Sequence, residues 1–175
     1  MTAYVALLRA VNVGGRNRLP MANLRAALSA RGFEQVTTVL QSGNVFLHSA
    51  EPEHTVAAIV TETIAESFGL QIAVVVRTSA ELGAIAGRNP FLTSDPDLDP
   101  TNLHVAFLAE KPMAGRAAKL DPNRSPPDSF TLDGRELYLS YPNGSGRTRL
   151  TLDYLERCLG VQATARNWRT VQRLI

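Results

Sequence analysis

The 175-residue sequence predicts an α+β protein built from two similar halves, with antiparallel or mixed sheets and helices. Three observations predict it. Apolar runs of strand length alternate with helical stripes in the order β-α-β-β-α-β, and that order occurs twice. A proline-punctuated acidic stretch, 93–100, lies between the two passes. Several strands are apolar at both alternating sets of positions, as in sheets covered on both faces.

The first pass spans 1–78. Residues 3–9 form a continuous apolar run, broken over 10–19 by Asn12, Gly14, Gly15 and Asn17. Pro20 suits a first helical turn; Leu24, Ala27 and Leu28 keep helical spacing until Gly32 stops it. Residues 34–40 are extended, Gln41-Ser42-Gly43-Asn44 is a turn, and 45–48 return as a strand. Val56, Ala57, Val60, Ile64 and Phe68 make a helical stripe over 53–68, ended by Gly69. Residues 71–77 are the closing strand, which completes a ferredoxin-like half.

Residues 79–87 read as a short helix and 93–100 as an acidic linker, together the connecting segment 79–100. The second pass spans 101–175. It has a strand over 103–109, a short helix over 112–120, and a hairpin of 129–133 and 136–141 turned at Asp133-Gly134. A helix over 149–159 ends at Gly160, an extended piece covers 161–165, and a terminal helix 167–174. Residue identity between the halves is low, so the repeat is architectural.

In 3–9 both rows are apolar: Ala3, Val5 and Leu7 on one, Tyr4, Ala6 and Leu8 on the other. The open faces are therefore expected to meet each other or another subunit, and a homodimer is one partner expectation. Phe46 and Tyr4 are expected in the core, since no RNA-recognition aromatic motif accompanies them. Trp168, Val171 and Leu174 are expected to pack inward.

Composition excludes several classes. Hydrophobic residues are 45% and charged residues 19%, which argues for a packed core and against disorder. The net charge of +2 is too weak for a global field. Sixteen of the eighteen basic residues are Arg, which a GC-rich coding bias explains in number. One cysteine, Cys158, excludes an internal disulfide framework, and its helical stripe suggests a buried, inert thiol. His48, His54 and His104 share no ligand spacing, so neither a metal nor a cofactor is expected, and His104 reads as a satisfied core residue. Asp95, Asp97 and Asp99 read as solvated linker charge. The chain opens without a basic signal region, and no run approaches the ~18 apolar residues of a membrane span. A cytoplasmic location without membrane contact is the expectation.

Three loops and one segment near the C-terminus carry the candidate ligand-binding residues. In Arg9–Arg18, adjacent Gly14 and Gly15 permit an anion nest, with Arg9, Asn12, Arg16 and Arg18 beside it and a helix start following. The turn 41–44 lies on the same rim, because the first two strands of such a half run parallel; it adds Ser42 and Asn44. In 142–149, Gly144, Gly146 and Arg147 precede the expected helix as a phosphate cradle, with Ser145 or Thr148 as alternative caps. Near the C-terminus, Arg166 and Asn167 sit at a helix entrance. Eight Arg (Arg9, Arg16, Arg18, Arg147, Arg149, Arg166, Arg169 and Arg173) fall in or beside these segments; the other eight, Arg77 included, read as ordinary surface.

Several stretches together resemble a bacterial family, domain of unknown function 1697. They are Tyr4–Gly15, Pro20–Arg25, Gln41–Phe46, Asn89-Pro90-Phe91, His104–Leu108 and Thr164–Val171. Departures are Ala10, where the family usually has Gly, and Val39-Leu40, where Tyr-Ile is common. The resemblance implies a small cytosolic α+β protein with ferredoxin-like halves and brings no catalytic residue to carry over. From the residues, the leading expectation is binding of an anionic small ligand, a nucleotide or sugar phosphate, with the N-terminal rim and C-terminal loops sharing one site. A transferase acting on such a ligand by electrostatic positioning is one alternative. A nucleic-acid partner is another, weakly supported by eleven basic against seven acidic residues in 101–175.

Overall fold

The structure, a computed structural model, describes residues 1–175. The chain divides into two units, Met1–Leu82 with Leu174 and Gly83–Arg173 with Ile175. No helix is long and apolar enough to cross a membrane.

The first unit runs β1 (Thr2–Leu8), α1 (Met21–Ala30), β2 (Glu34–Val39), β3 (Asn44–Ser49), α2 (Glu53–Phe68) and β4 (Val74–Thr78). Its sheet has the order β2-β3-β1-β4 with every neighbouring pair antiparallel. Ala6, Leu8, Val45, Leu47 and Val76 pack in one core with Leu24 and Leu28 of α1 and Val56, Val60 and Ile64 of α2. Each fully buried Val, Leu or Ile among them contributes about 1.5–3 kcal/mol. The opposite row is buried too: Val5, Leu7, Val75 and Arg77 are at most 2% exposed. α2 closes at Gly69, whose left-handed φ of 66° lets its N–H reach the Ala65 carbonyl.

The second unit follows α3 (Ser79–Gly87), which spans the division, and α4 (Pro90–Ser94). It then has β5 (Leu103–Leu108), β6 (Ser129–Asp133), β7 (Glu136–Ser140), α5 (Leu152–Leu159), β8 (Ala163–Asn167) and α6 (Trp168–Arg173). The sheet order β6-β7-β5-β8 repeats that of the first unit, again antiparallel throughout. Even the register repeats. Val5 stands opposite Phe46 and Arg77, and Val105 opposite Tyr138 and Arg166. Thr37 faces Phe46 as Thr131 faces Tyr138.

Several elements differ from the sequence expectation. The expected helix over 112–120 is only a 3-10 turn, Ala117–Lys119; Pro112 precedes it and Gly115 takes a φ of 83°. Strand β4 begins at Val74, three residues late. Residues 93–100 lie inside the second unit, where Asp95 accepts from the Asp97 N–H and Asp99 from the Thr101 N–H. Helix α5 starts at Leu152, not 149, because Thr151 supplies the cap: its Oγ1 accepts from the Tyr154 N–H at 3.3 Å. Neither Ser145 nor Thr148 caps it. The strand expected over 161–165 is β8, shifted to Ala163–Asn167.

Side-chain expectations divide similarly. Tyr4 is buried and donates its hydroxyl to the Glu51 carbonyl at 3.0 Å, whereas Phe46 is only half-buried. Trp168, Val171 and Leu174 are buried. Cys158 is a free thiol, half-buried against the core of the second unit rather than enclosed in it. Arg77 is not surface at all. It has no solvent exposure, and its Nη1 donates to the Val76 carbonyl at 2.8 Å.

The Thr151 cap gives a direct check. Thr151→Ala is expected to lower stability by about 1 kcal/mol in urea unfolding, while Ser145→Ala changes it little.

Candidate functional site

In the first unit, β1 and β2 are both antiparallel to β3 and hence parallel to each other. The loop after β1 and the turn after β2 therefore leave the sheet at one end. The Leu8 N–H donates to the Gly43 carbonyl at 2.8 Å, and Asn12 Nδ2 donates to the Gln41 carbonyl at 2.8 Å. Asn12 also donates to the Leu19 carbonyl at 3.0 Å, and its Oδ1 accepts from the Leu19 N–H at 2.9 Å. Asn44 Nδ2 donates to the Val39 carbonyl at 2.9 Å and to Ser42 Oγ at 3.2 Å. These side chains thus bind the loops to one another.

Gly14 and Gly15, with φ of 58° and 75°, turn the chain between Val13 and Arg16, whose N–H donates to the Val13 carbonyl at 3.1 Å. This is the geometry of a two-residue hairpin turn. Arg16 and Arg18 are exposed beside it, and Arg9 is half-buried. Two positions show why the rim is glycine-rich. A Cβ on Gly43 would lie 2.8 Å from Leu8 Cβ and 3.2 Å from Val11 Cβ, and its φ is 80°. Ala10, the departure from the family pattern, has a φ of 52°, so this position does require the left-handed conformation that glycine adopts freely.

One opening at a candidate loop lies in the second unit. A cleft of about 530 Å³ is lined by Ser125, Asp128, Gly144, Gly146, Arg147 and Thr148, with Asn143 and two prolines. Gly144, at a φ of 78°, leads into a 3-10 turn, Ser145–Arg147, and residues 148–151 then run to α5. The wall opposite in sequence is tied to this loop by hydroxyls. Asp128 Oδ2 accepts from Ser125 Oγ at 2.7 Å and from Thr148 Oγ1 at 2.6 Å. Ser125 Oγ in turn accepts from the Arg149 N–H at 3.0 Å, and Thr148 Oγ1 from the Leu150 N–H at 3.0 Å. Arg124 donates Nε to the Arg149 carbonyl at 2.9 Å and lies 4.0 Å from the Tyr154 ring centroid.

The glycine-arginine loop was legible in sequence; its partner segment 124–128 was not. Its Arg-Ser-Pro-Pro-Asp run carries no spacing signal, and only the hairpin that follows brings it beside 143–148.

Arg166 and Asn167 do not line this cleft. Arg166 lies within β8 and is buried; its Nη1 donates to Thr164 Oγ1 and to the Ala165 carbonyl, each at 2.9 Å. Burial pushes its pKa down to about 10, so it stays charged at neutral pH. Asn167 Oδ1 accepts from the Thr170 N–H at 2.8 Å and so caps α6. It lines a separate cleft of about 370 Å³ with Pro100, Thr101, Trp168, Arg169 and Gln172.

His104 stands beside Tyr141, at the foot of the glycine-arginine loop, with ring centroids 5.1 Å apart. Contrary to a satisfied core histidine, its Nδ1 is buried without a hydrogen-bond partner. Burial holds its pKa below the ordinary imidazole value of 6.5, opposed by the Asn102 backbone. Tyr141 donates its hydroxyl to the Leu150 carbonyl at 3.2 Å, and burial first, then Asp128, push its pKa up to about 12.

Residues 1–138 match the model of a family described as protein of unknown function (DUF1697). The chain belongs to this family. The matched span includes the N-terminal rim and Ser125–Asp128, and it ends before the 142–149 loop. A solved structure, the conserved bacterial protein SP0830 from Streptococcus pneumoniae, superposes with a TM-score of 0.70 at 20% identity. The match covers 99% of this chain and 96% of that one. At this identity the likeness concerns the fold alone. No curated protein matches.

Two measurements check the site geometry. Gly43→Ala is expected to cost about 2 kcal/mol or more in urea unfolding, and Ala10→Gly to gain about 0.5–1 kcal/mol, the left-handed cost removed less the added chain entropy. For His104, the folded state binds its proton less well than the unfolded state. Its contribution is therefore complete above pH 6.5 and is lost as pH falls toward the depressed folded value. Stability measured from pH 7 to 5 is expected to fall less steeply in His104→Gln than in the wild type.

Proposed function

We propose that the protein binds a phosphorylated or otherwise anionic small ligand, such as a sugar phosphate or nucleotide, in the cleft of the second unit. The observation that carries this is the joint lining of a 530 Å³ cleft by Gly144, Gly146 and Arg147. Glycines let a ligand approach the backbone closely, and a guanidinium offers a planar pair of donors to phosphate or carboxylate oxygens. Arg147 is exposed, so its charge is accessible to a ligand. The sheet orders β2-β3-β1-β4 and β6-β7-β5-β8 support reading each unit as a ferredoxin-like half. The cleft is built from two loops that flank the β6–β7 hairpin.

Thermal unfolding with a panel of inorganic anions, sugar phosphates and nucleotides tests the proposal. At ligand concentrations about 100-fold above Kd, a gain of about 2.7 kcal/mol is expected, visible as a rise of several degrees in Tm. Arg147→Ala is expected to abolish most of the rise. A flat response to every anion at millimolar concentration overturns the proposal.

A further inference from the structure

We infer that the ligand of this cleft is a hydroxylated phosphate ester, a phosphorylated sugar or polyol, and that Asp128 is the residue that selects for its hydroxyls. The inference rests on the anion-binding reading above and narrows it. Asp128 is 8% exposed yet lines the cleft with Arg147. The charged side chains lining the cleft are thus one guanidinium and one carboxylate, with no net charge. A polyphosphate would meet a single cation there and a carboxylate beside it. A phosphate monoester with a neutral body suits that balance better.

Hydrogen-bond polarity narrows the chemistry further. The hydroxyls of Ser125 and Thr148 both donate to Asp128 Oδ2, at 2.7 and 2.6 Å. A hydroxyl has one proton, so neither can also donate to a ligand phosphate. Their positions are held by the Arg149 and Leu150 N–H groups, which each donate to one of them at 3.0 Å. A carboxylate has about four lone-pair sites, and the two hydroxyls occupy only those of Oδ2. On the Ser125–Asp128–Thr148 side the cleft therefore presents hydrogen-bond acceptors. An acceptor surface rejects a bare anion and rewards ligand donors, and hydroxyls are the donors a neutral phosphorylated body carries. The phosphate is left to Arg147 and the glycine loop.

Matched ligands separate this inference from the reading beneath it. Titration calorimetry with sorbitol 6-phosphate, n-hexyl phosphate and inorganic phosphate compares one carbon skeleton with and without hydroxyls. On the wild type, sorbitol 6-phosphate is expected to bind at least about tenfold more tightly than hexyl phosphate. Asp128→Asn is expected to reduce that ratio to about threefold or less, since a charge-assisted acceptor is lost. Arg147→Ala is expected to weaken both esters together. Equal affinity for the two esters on the wild type overturns the inference and leaves anion binding standing, and this comparison needs no variant to fold. A preference that persists undiminished in folded Asp128→Asn also overturns it, by removing Asp128 as its cause. Binding of none of the three phosphates overturns both readings.

Discussion

β1 and β5 each sit between two sheet neighbours, and their side chains are buried on both faces. Val5 and Leu7 have no exposure on one row of β1, nor have Ala6 and Leu8 on the other. Val105, Ala106, Phe107 and Leu108 repeat this in β5. A strand so enclosed cannot offer a polar group to a ligand without leaving a buried donor or acceptor unpaired. Chemistry is thereby confined to the strand ends and to the loops beyond them.

The two sets of loops answer this constraint differently. At the N-terminal rim, the side chains of Asn12 and Asn44 bind neighbouring backbone groups, and Gly43 fits against Leu8 because it lacks a Cβ. Polar residue types that read as ligand contacts there serve the loop itself. In the second unit, Asp128 draws two hydroxyls together, and those contacts join 125–128 to the loop that carries Arg147. The cross-link leaves a cleft open, with a guanidinium and a carboxylate along it. The same economy of hydrogen bonding closes one loop cluster and props the other apart.

The repeat shows a related division between sequence and structure. Residue identity between the halves is low, yet Val5 and Val105 stand in the same register, flanked by Arg77 and Arg166. Register is set by which row of each strand is buried, so different apolar residues preserve it. The pairing of the two arginines is not legible in sequence, because nothing local distinguishes Arg77, at the end of an apolar run, from a solvated strand terminus. Its burial is a property of what covers the sheet. Arg166 reads in sequence as a helix-entrance residue, and it lies buried within β8.

Apolar periodicity and turn residues were enough to place nearly every regular element and the parallel relation of β1 and β2, because these depend on spacing along the chain. They placed the 142–149 loop as well, through its glycines. Where helices start depended on competition among neighbouring hydroxyls: Thr151 took the cap while Thr148 turned to Asp128. Which side chains face a cleft, and whether an arginine is wet or buried, depended on contacts between segments distant in the chain. Asp128 meets Thr148 and Ser125 meets the Arg149 N–H, about twenty residues on, across a hairpin whose sequence predicts its turn but not its neighbours. Long-range packing decides such contacts, and no local pattern encodes them.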